Sequence, residues 1–228
     1  ITHEINNPLT GILMFATLTS RSPQLDPSLK SDMDVIINEA NRCAKIVKGL
    51  LDFSRESIPQ KKPASLNKVM EGTLDLIGRQ SSFHNIDIVK DYQTDLPLIP
   101  VDENQMQQVF INMLLNASQS MPGGGSICIK TYTENEEYAC LQITDTGSGI
   151  TEEDLEKIFD PFFTTKSNKG TGLGLSVSYG IIERHGGKIA VQSKVNEGTA
   201  FTIKLPLCPQ GRETLAASSR RPAAALSD

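Results

Sequence analysis

No apolar run in these 228 residues approaches the ~20 that a membrane-spanning helix needs, so no stretch of the chain reads as a bilayer segment. Excess positive charge is lacking too: a formal net charge of −5 leaves no electrostatic footprint for nucleic acid. Cysteine is scarce. Cys43, Cys128, Cys140 and Cys208 have no metal-ligand spacing and stand in apolar surroundings, and are expected to be reduced core thiols of a cytosolic protein. The common phosphate-binding signatures are missing. There is no G-x-x-x-x-G-K-[ST], and Gly170-x-Gly172-x-Gly174 is not spaced as G-x-G-x-x-G. A chain of this length is expected to hold one or two domains with cores of their own.

What is present is concentrated between Asp145 and Leu175. The stretch opens with Asp145-Thr146-Gly147-Ser148-Gly149-Ile150 and closes with Gly170-Thr171-Gly172-Leu173-Gly174-Leu175, with Phe159-Asp160-Pro161-Phe162-Phe163-Thr164-Thr165-Lys166 between. Two glycine clusters suggest a mobile loop anchored at both ends, because glycine lets backbone approach a ligand and take positive φ. The second cluster leads into a helix start, whose free N–H groups suit a phosphate chain. Glycines that merely make turns are the alternative. Asn112 and Asn116 lie four apart in an apolar-periodic run from Glu103 to Met121 and therefore share one helix face. Such a pair either bonds to itself in the interior or orients a metal ion and its phosphates. At the amino end stands His3-Glu4-Ile5-Asn6-Asn7-Pro8-Leu9.

In this order the stretches resemble the motif boxes of the sensor histidine kinases of two-component systems. His3-Glu4-x-x-Asn7-Pro8-Leu9 matches the H-box and Asn112-x-x-x-Asn116 the N-box. Asp145-x-Gly147-x-Gly149 matches the first glycine box, Phe159 to Phe163 the F-box, and Gly170-x-Gly172-x-Gly174 the second glycine box. Any one match is weak; five in the family's order are specific. The resemblance implies an ATP-dependent protein histidine kinase that uses ATP and Mg²⁺. It would autophosphorylate His3 and pass the phosphoryl group to an aspartate on the receiver domain of a response regulator. It also implies a homodimer in the cytoplasm, with a sensor region expected ahead of Ile1 that would carry any membrane anchor.

Phosphoryl transfer needs a nucleophile, a bound triphosphate and a means of offsetting charge on the moving group. An unperturbed histidine, with a pKa of ~6.5, is mostly neutral near pH 7 and is a competent nucleophile. The resemblance gives that role to His3, with Glu4 orienting the other ring N–H. It gives Asp145 the adenine amino group, and Thr199 a place near the same base. Asn116 would be the Mg²⁺ ligand, since an amide oxygen beside phosphates and waters suits magnesium. Asn112 would stand one turn earlier on the nucleotide face. Gly147, Gly149, Thr165, Lys166, Gly170, Gly172 and Gly174 complete the expected nucleotide site. Lys166 and Lys169 would meet phosphate oxygens or simply be solvated. Asn7, in Glu-x-x-Asn after the histidine, is associated in this family with dephosphorylating the receiver domain; a plain surface asparagine is the other reading. His84 and His185 lack such surroundings, and His185 reads as a residue closing a helix before Gly186-Gly187. Two alternatives stay open: a nucleotide-sensing pseudokinase scaffold and a gyrase-like ATPase. Gyrase-type relatives carry glutamate where Asn112 stands, and an amide lacks the basicity to activate water.

The expected fold is a helical hairpin dimerising into a four-helix bundle, followed by an α+β sandwich that binds ATP. Residues 1–57 form the hairpin, with a first helix over 1–20, a turn from Ser20 to Pro27 and a second helix over 28–53. Pro8 either bends the first helix or begins it and leaves His3 on a loop. Leu29, Met33, Ile36, Ala40, Ala44, Val47 and Leu51 stripe the second helix. A lone hairpin cannot cover two apolar seams, so pairing with a second copy is expected. Residues 58–64 are expected as linker and 65–208 as the catalytic domain. That domain should hold a helix from Ser65, a strand over 86–92, a turn over 95–100 and a helix capped by Asp102. Two hairpins should flank a last helix over 171–184, giving a mostly antiparallel sheet. Residues 209–228 should be disordered.

Overall fold

The computed structural model describes residues 2–54, 58–78, 80–165 and 170–207. Two helices, α1 (Thr2–Ser20) and α2 (Pro27–Ser54), pack against each other as a hairpin. Helix α1 runs through Pro8, so His3 stands on a helix and not on a preceding loop. Asp26 opens α2 by accepting from the Ser28 N–H and hydroxyl, both at 2.8 Å, with Pro27 at the first helical position. Among the described side chains of the hairpin, only Ala16 and Ala40 are buried. Larger apolar side chains stay outside: Ile12, Phe15, Leu18, Leu29, Val35 and Ile36 are 40–67% exposed. Each forgoes on the order of 1 kcal/mol of burial, so a second copy of the hairpin has much to gain.

The remaining elements are β1 (Lys62–Ala64), α3 (Leu66–Ile77), β2 (Ile86–Tyr92), β3 (Ile99–Val101), α4 (Glu103–Ser120), β4 (Gly125–Glu134) and β5 (Tyr138–Asp145). They are followed by the single turn α5 (Glu152–Leu155), then α6 (Gly174–Arg184), β6 (Lys188–Lys194) and β7 (Gly198–Pro206). Five strands form one sheet in the order β2-β4-β5-β7-β6. Strand β2 runs parallel to β4 and the other pairs are antiparallel, so the sheet is mixed. Alternation turns Ile127, Ile129, Leu141, Ile143, Phe201 and Ile203 inward. They meet Val109, Phe110 and Met113 of α4 and Val177 and Ile181 of α6 in one core, making a sheet-on-helix sandwich.

Three findings differ from the sequence reading. The region expected as linker ends in β1, which pairs antiparallel with β3 and buries Ala64, so the turn expected over 95–100 contains the start of a strand. Pro63 and Pro100 are register partners in this ribbon. Proline is tolerated there because a two-stranded ribbon has only edges, and the same prolines hid the strands from pattern reading. Second, Cys43 is exposed and not a core thiol. Cys140 is buried, and desolvation pushes its thiol above the ordinary value, which keeps it inert. Third, the helix from Ser65, expected to reach about Gln80, stops at Ile77, where Gly78 closes it. Cys208 and the expected disordered tail fall outside the described residues. Among those described, no helix is long and apolar enough to cross a membrane.

Asp102 joins several parts of the second domain. Its Oδ1 accepts from the N–H groups of Asn104 (3.1 Å) and Gln105 (3.2 Å), capping α4 as expected. Its Oδ2 accepts from Gln60 N–H at 3.0 Å, tying down the chain ahead of β1. Its own N–H donates to His185 Nε2 at 3.0 Å, while His185 Nδ1 faces the Ile181 carbonyl at 2.8 Å. An accepting Nε2 leaves the proton on Nδ1, so His185 is neutral and buried at the end of α6. His185 closes α6, as its place before Gly186-Gly187 suggested.

Candidate functional site

Strand alternation builds the floor of the site. Leu141 and Ile143 of β5 face the core, and Asp145 continues that row, only 5% exposed. Its register partner on β7 is Thr199, also 5% exposed. A buried carboxylate must be hydrogen-bonded to be tolerated. Oδ1 accepts from Gly147 N–H at 2.8 Å, and the Ser120 hydroxyl lies 3.2 Å away. Asp145, Thr199 and Ser193 lie side by side on the inner face of the sheet, where β5, β7 and β6 end.

The first glycine loop is fastened on both sides. Ser148 N–H donates to the carbonyl of Ser120, the last residue of α4, at 3.2 Å, and Asn196 N–H donates to Ser148 O at 2.8 Å. Ile150 N–H donates to Ser193 Oγ at 2.8 Å. Gly149 has φ +70°, and a Cβ there would overlap the Lys194 carbonyl oxygen, so only glycine fits beneath the β6–β7 turn. The first glycine cluster is therefore an anchor, as expected for one end of the loop.

The far end of the loop is also held. Phe162 stands at φ +70° and donates its N–H to Gly172 O at 3.0 Å. Gly172 is itself at φ +69°, where a Cβ would strike the Phe162 backbone. A phenylalanine in the left-handed region is strained, and this mutual lock maintains it. Phe159 lies 5.4 Å, centroid to centroid, from Tyr179 on α6. Thr165 is exposed at the edge of the described loop, and Gly170 is half-buried. Lys166 and Lys169 fall outside the described residues.

Helix α4 brings Asn112 to the start of α6 and gives the two asparagines different settings. Asn112 Nδ2 donates to Gly174 O at 3.1 Å and to Ser178 Oγ at 3.2 Å, fastening α6 to α4. Asn116, one turn on, is half-buried and has no hydrogen-bond partner among the described residues. Its amide is available to a ligand. The first turn of α6 has no side-chain cap, since Leu173 at the cap position offers none, and its N–H groups suit an anion. Among the described residues no three His, Cys, Asp or Glu side chains gather as a metal cage. A single amide fits Mg²⁺ that takes its other ligands from phosphates and water.

His3 and Glu4 lie on α1, with their side chains outside the described set; Asn7, one turn beyond His3, is exposed. Two residues of the site lie in no motif: Ser120, against Asp145, and Ser193, against Thr199. Ser193 could have been found by pairing residues across the hairpin around Asn196. Ser120 could not, because its contact joins a helix end to a loop through tertiary packing.

Residues 101–209 match the family model of the histidine kinase-, DNA gyrase B- and HSP90-like ATPases, and residues 1–57 match that of the His Kinase A phospho-acceptor domain. Over 213 residues the chain is 37% identical to sporulation kinase E of Bacillus subtilis, an alignment covering 93% of this chain. The chain spans only 28% of that relative's length. It is similar to histidine kinase ThkA, solved in complex with the response regulator protein TrrA, with 31% identity and a TM-score of 0.69 over 92% of this chain and 60% of that one. The catalytic domain of ThkA, solved alone, matches at 34% identity and a TM-score of 0.59, covering 66% of this chain and 97% of that domain.

Proposed function

This chain belongs to the sensor histidine kinases, and from that premise we propose that it phosphorylates His3 from ATP and hands the phosphoryl group to a response regulator. The observation that carries this reading is the buried Asp145 carboxylate, aimed at the helix layer beside Thr199 and at the mouth of the fastened glycine loop. A carboxylate accepts from the exocyclic amine of adenine, and Thr199 meets the same base. The triphosphate then extends along α4 toward the uncapped start of α6. Asn116 supplies an amide oxygen to Mg²⁺, which offsets phosphate charge when bound. Gly170, Gly172, Gly174 and Thr165 border the phosphates, and Lys166 is assigned to their charge by its place in the motif.

The neutral imidazole of His3 attacks the γ-phosphorus. A nitrogen–phosphorus bond forms, the bond to the bridging oxygen breaks, and ADP leaves with that electron pair. Glu4 orients the ring and offsets its developing positive charge. Asn112 carries no basic group that could activate water, which favours transfer to His3 over hydrolysis. The receiver aspartate next takes the phosphoryl group from His3. Residues 1–57 act as phosphoacceptor hairpin and 65–208 as nucleotide domain, with the hairpin's exposed apolar seams closed by a second copy. A second activity is favoured by one observation: Asn7 is exposed one turn from His3, where its amide can position water on the regulator's aspartyl phosphate.

Incubation of the chain with γ-labelled ATP tests this. Acid-labile label is expected on the parent and none on His3→Gln, with ATP binding unchanged. Release of phosphate without protein label would indicate a gyrase-like ATPase. Binding with neither outcome would indicate a nucleotide-sensing scaffold.

A further inference from the structure

Ser193 holds three chain segments with one hydroxyl. Its Oγ accepts from Ile150 N–H at 2.8 Å, lies 2.9 Å from the Gly198 carbonyl oxygen and 2.9 Å from Thr199 Oγ1. It is the register partner of Thr199, which in turn is the register partner of Asp145, so the three share the inner face of the sheet. We propose that Ser193 is a positioning residue that makes the Thr199 hydroxyl an acceptor toward the bound base and so selects 6-amino over 6-oxo purines. The proposal rests on Asp145 and Thr199 being the purine-binding pair.

The reasoning is a count of protons. A serine hydroxyl has one hydrogen and two acceptor lone pairs. Ile150 N–H occupies one lone pair. The Gly198 carbonyl can only accept, so the Ser193 proton points to it. The remaining lone pair receives the Thr199 proton, and Thr199 then presents only lone pairs beside Asp145. The Asp145 carboxylate likewise only accepts. Two acceptors side by side on adjacent strands match an exocyclic amine, which brings two hydrogens, and oppose a carbonyl oxygen in its place. Remove Ser193 and the Thr199 proton is free to rotate toward the base, so the pair loses its uniform polarity.

The experiment is a titration of the full chain with ATP and with GTP, for the parent, Ser193→Ala and Ser193→Thr, alongside thermal unfolding. Ser193→Ala is expected to weaken ATP roughly tenfold while leaving GTP about unchanged, the consequence of one misdirected hydrogen bond. Ser193→Thr retains a hydroxyl and should restore the parent ratio. Equal weakening of both nucleotides, or no restoration by threonine in a folded variant, would overturn the proposal. Thr199→Val guards against misfolding, since it leaves the Ser193 bonds to Ile150 and Gly198 intact. It should reduce the ATP-to-GTP ratio to the same extent, and a parent-like ratio there also overturns the idea. A parent chain that binds neither nucleotide overturns the nucleotide-site reading itself. A parent whose preference depends on Asp145 but not on Ser193 overturns only the present proposal.

Discussion

Asp145→Asn isolates the chemistry of the site from its architecture. The two side chains have the same shape, so no cavity forms at a position only 5% exposed. The amide oxygen can keep the 2.8 Å bond from Gly147 N–H that shapes the first glycine loop. That choice places the NH₂ group where the second carboxylate oxygen stood, and a donor then faces the donor of an adenine amine. A hydrogen bond to a charged group contributes about 1.5–3 kcal/mol. At about 1.4 kcal/mol per decade, ATP affinity should fall roughly ten- to a hundredfold. Stability should not fall, because the variant no longer buries a charge and the loop bond survives. Calorimetric titration with a non-hydrolysable ATP analogue, beside thermal unfolding of the same sample, reads both quantities. An affinity within twofold of the parent would show that Asp145 does not meet the base. A large loss accompanied by a lowered unfolding temperature would show that its role is to hold the loop.

Three further outcomes follow from the geometry. Gly149→Ala forces a side chain into the left-handed region and against the Lys194 carbonyl, so it should cost at least about 1 kcal/mol and loosen the first glycine loop; an unchanged unfolding temperature would refute the fastening described above. Burial holds the His185 pKa below its ordinary 6.5, with Lys61 and Arg184 adding to the effect and the Ile181 carbonyl and Asp102 opposing it. The unfolded chain thus binds a proton that the folded chain resists; the stability this residue contributes is full above about pH 6.5 and is lost as pH falls below it, and His185→Gln should flatten that part of the unfolding profile. Asn7→Ala improves helix propensity and leaves the nucleotide groups in place, so His3 should label at a near-normal rate while removal of phosphate from the regulator slows; equal loss of both activities would mean that Asn7 supports the helix instead.

The sequence by itself determined what is local. Asp145 was legible as the end of a strand before glycines, Asp102 as a helix cap, and the β6–β7 hairpin could be read around Glu197-Gly198. The motif order from His3 to Gly174 named the chemistry. These features depend on neighbours a few residues apart, whose periodicity and capping preferences act within one helix turn or one strand. Only the tertiary structure decided how distant segments meet. It paired β1 with β3 through two prolines and set β2 parallel to β4. It committed Asn112 to the start of α6 while leaving Asn116 without a hydrogen-bond partner among the described residues, although both stand on one apolar helix with the same amide. It also chose the anchors of the first glycine cluster, the end of α4 and the β6–β7 turn. Glycine permits a close approach, but which backbone makes that approach depends on packing across the whole core, and no spacing along the chain encodes it.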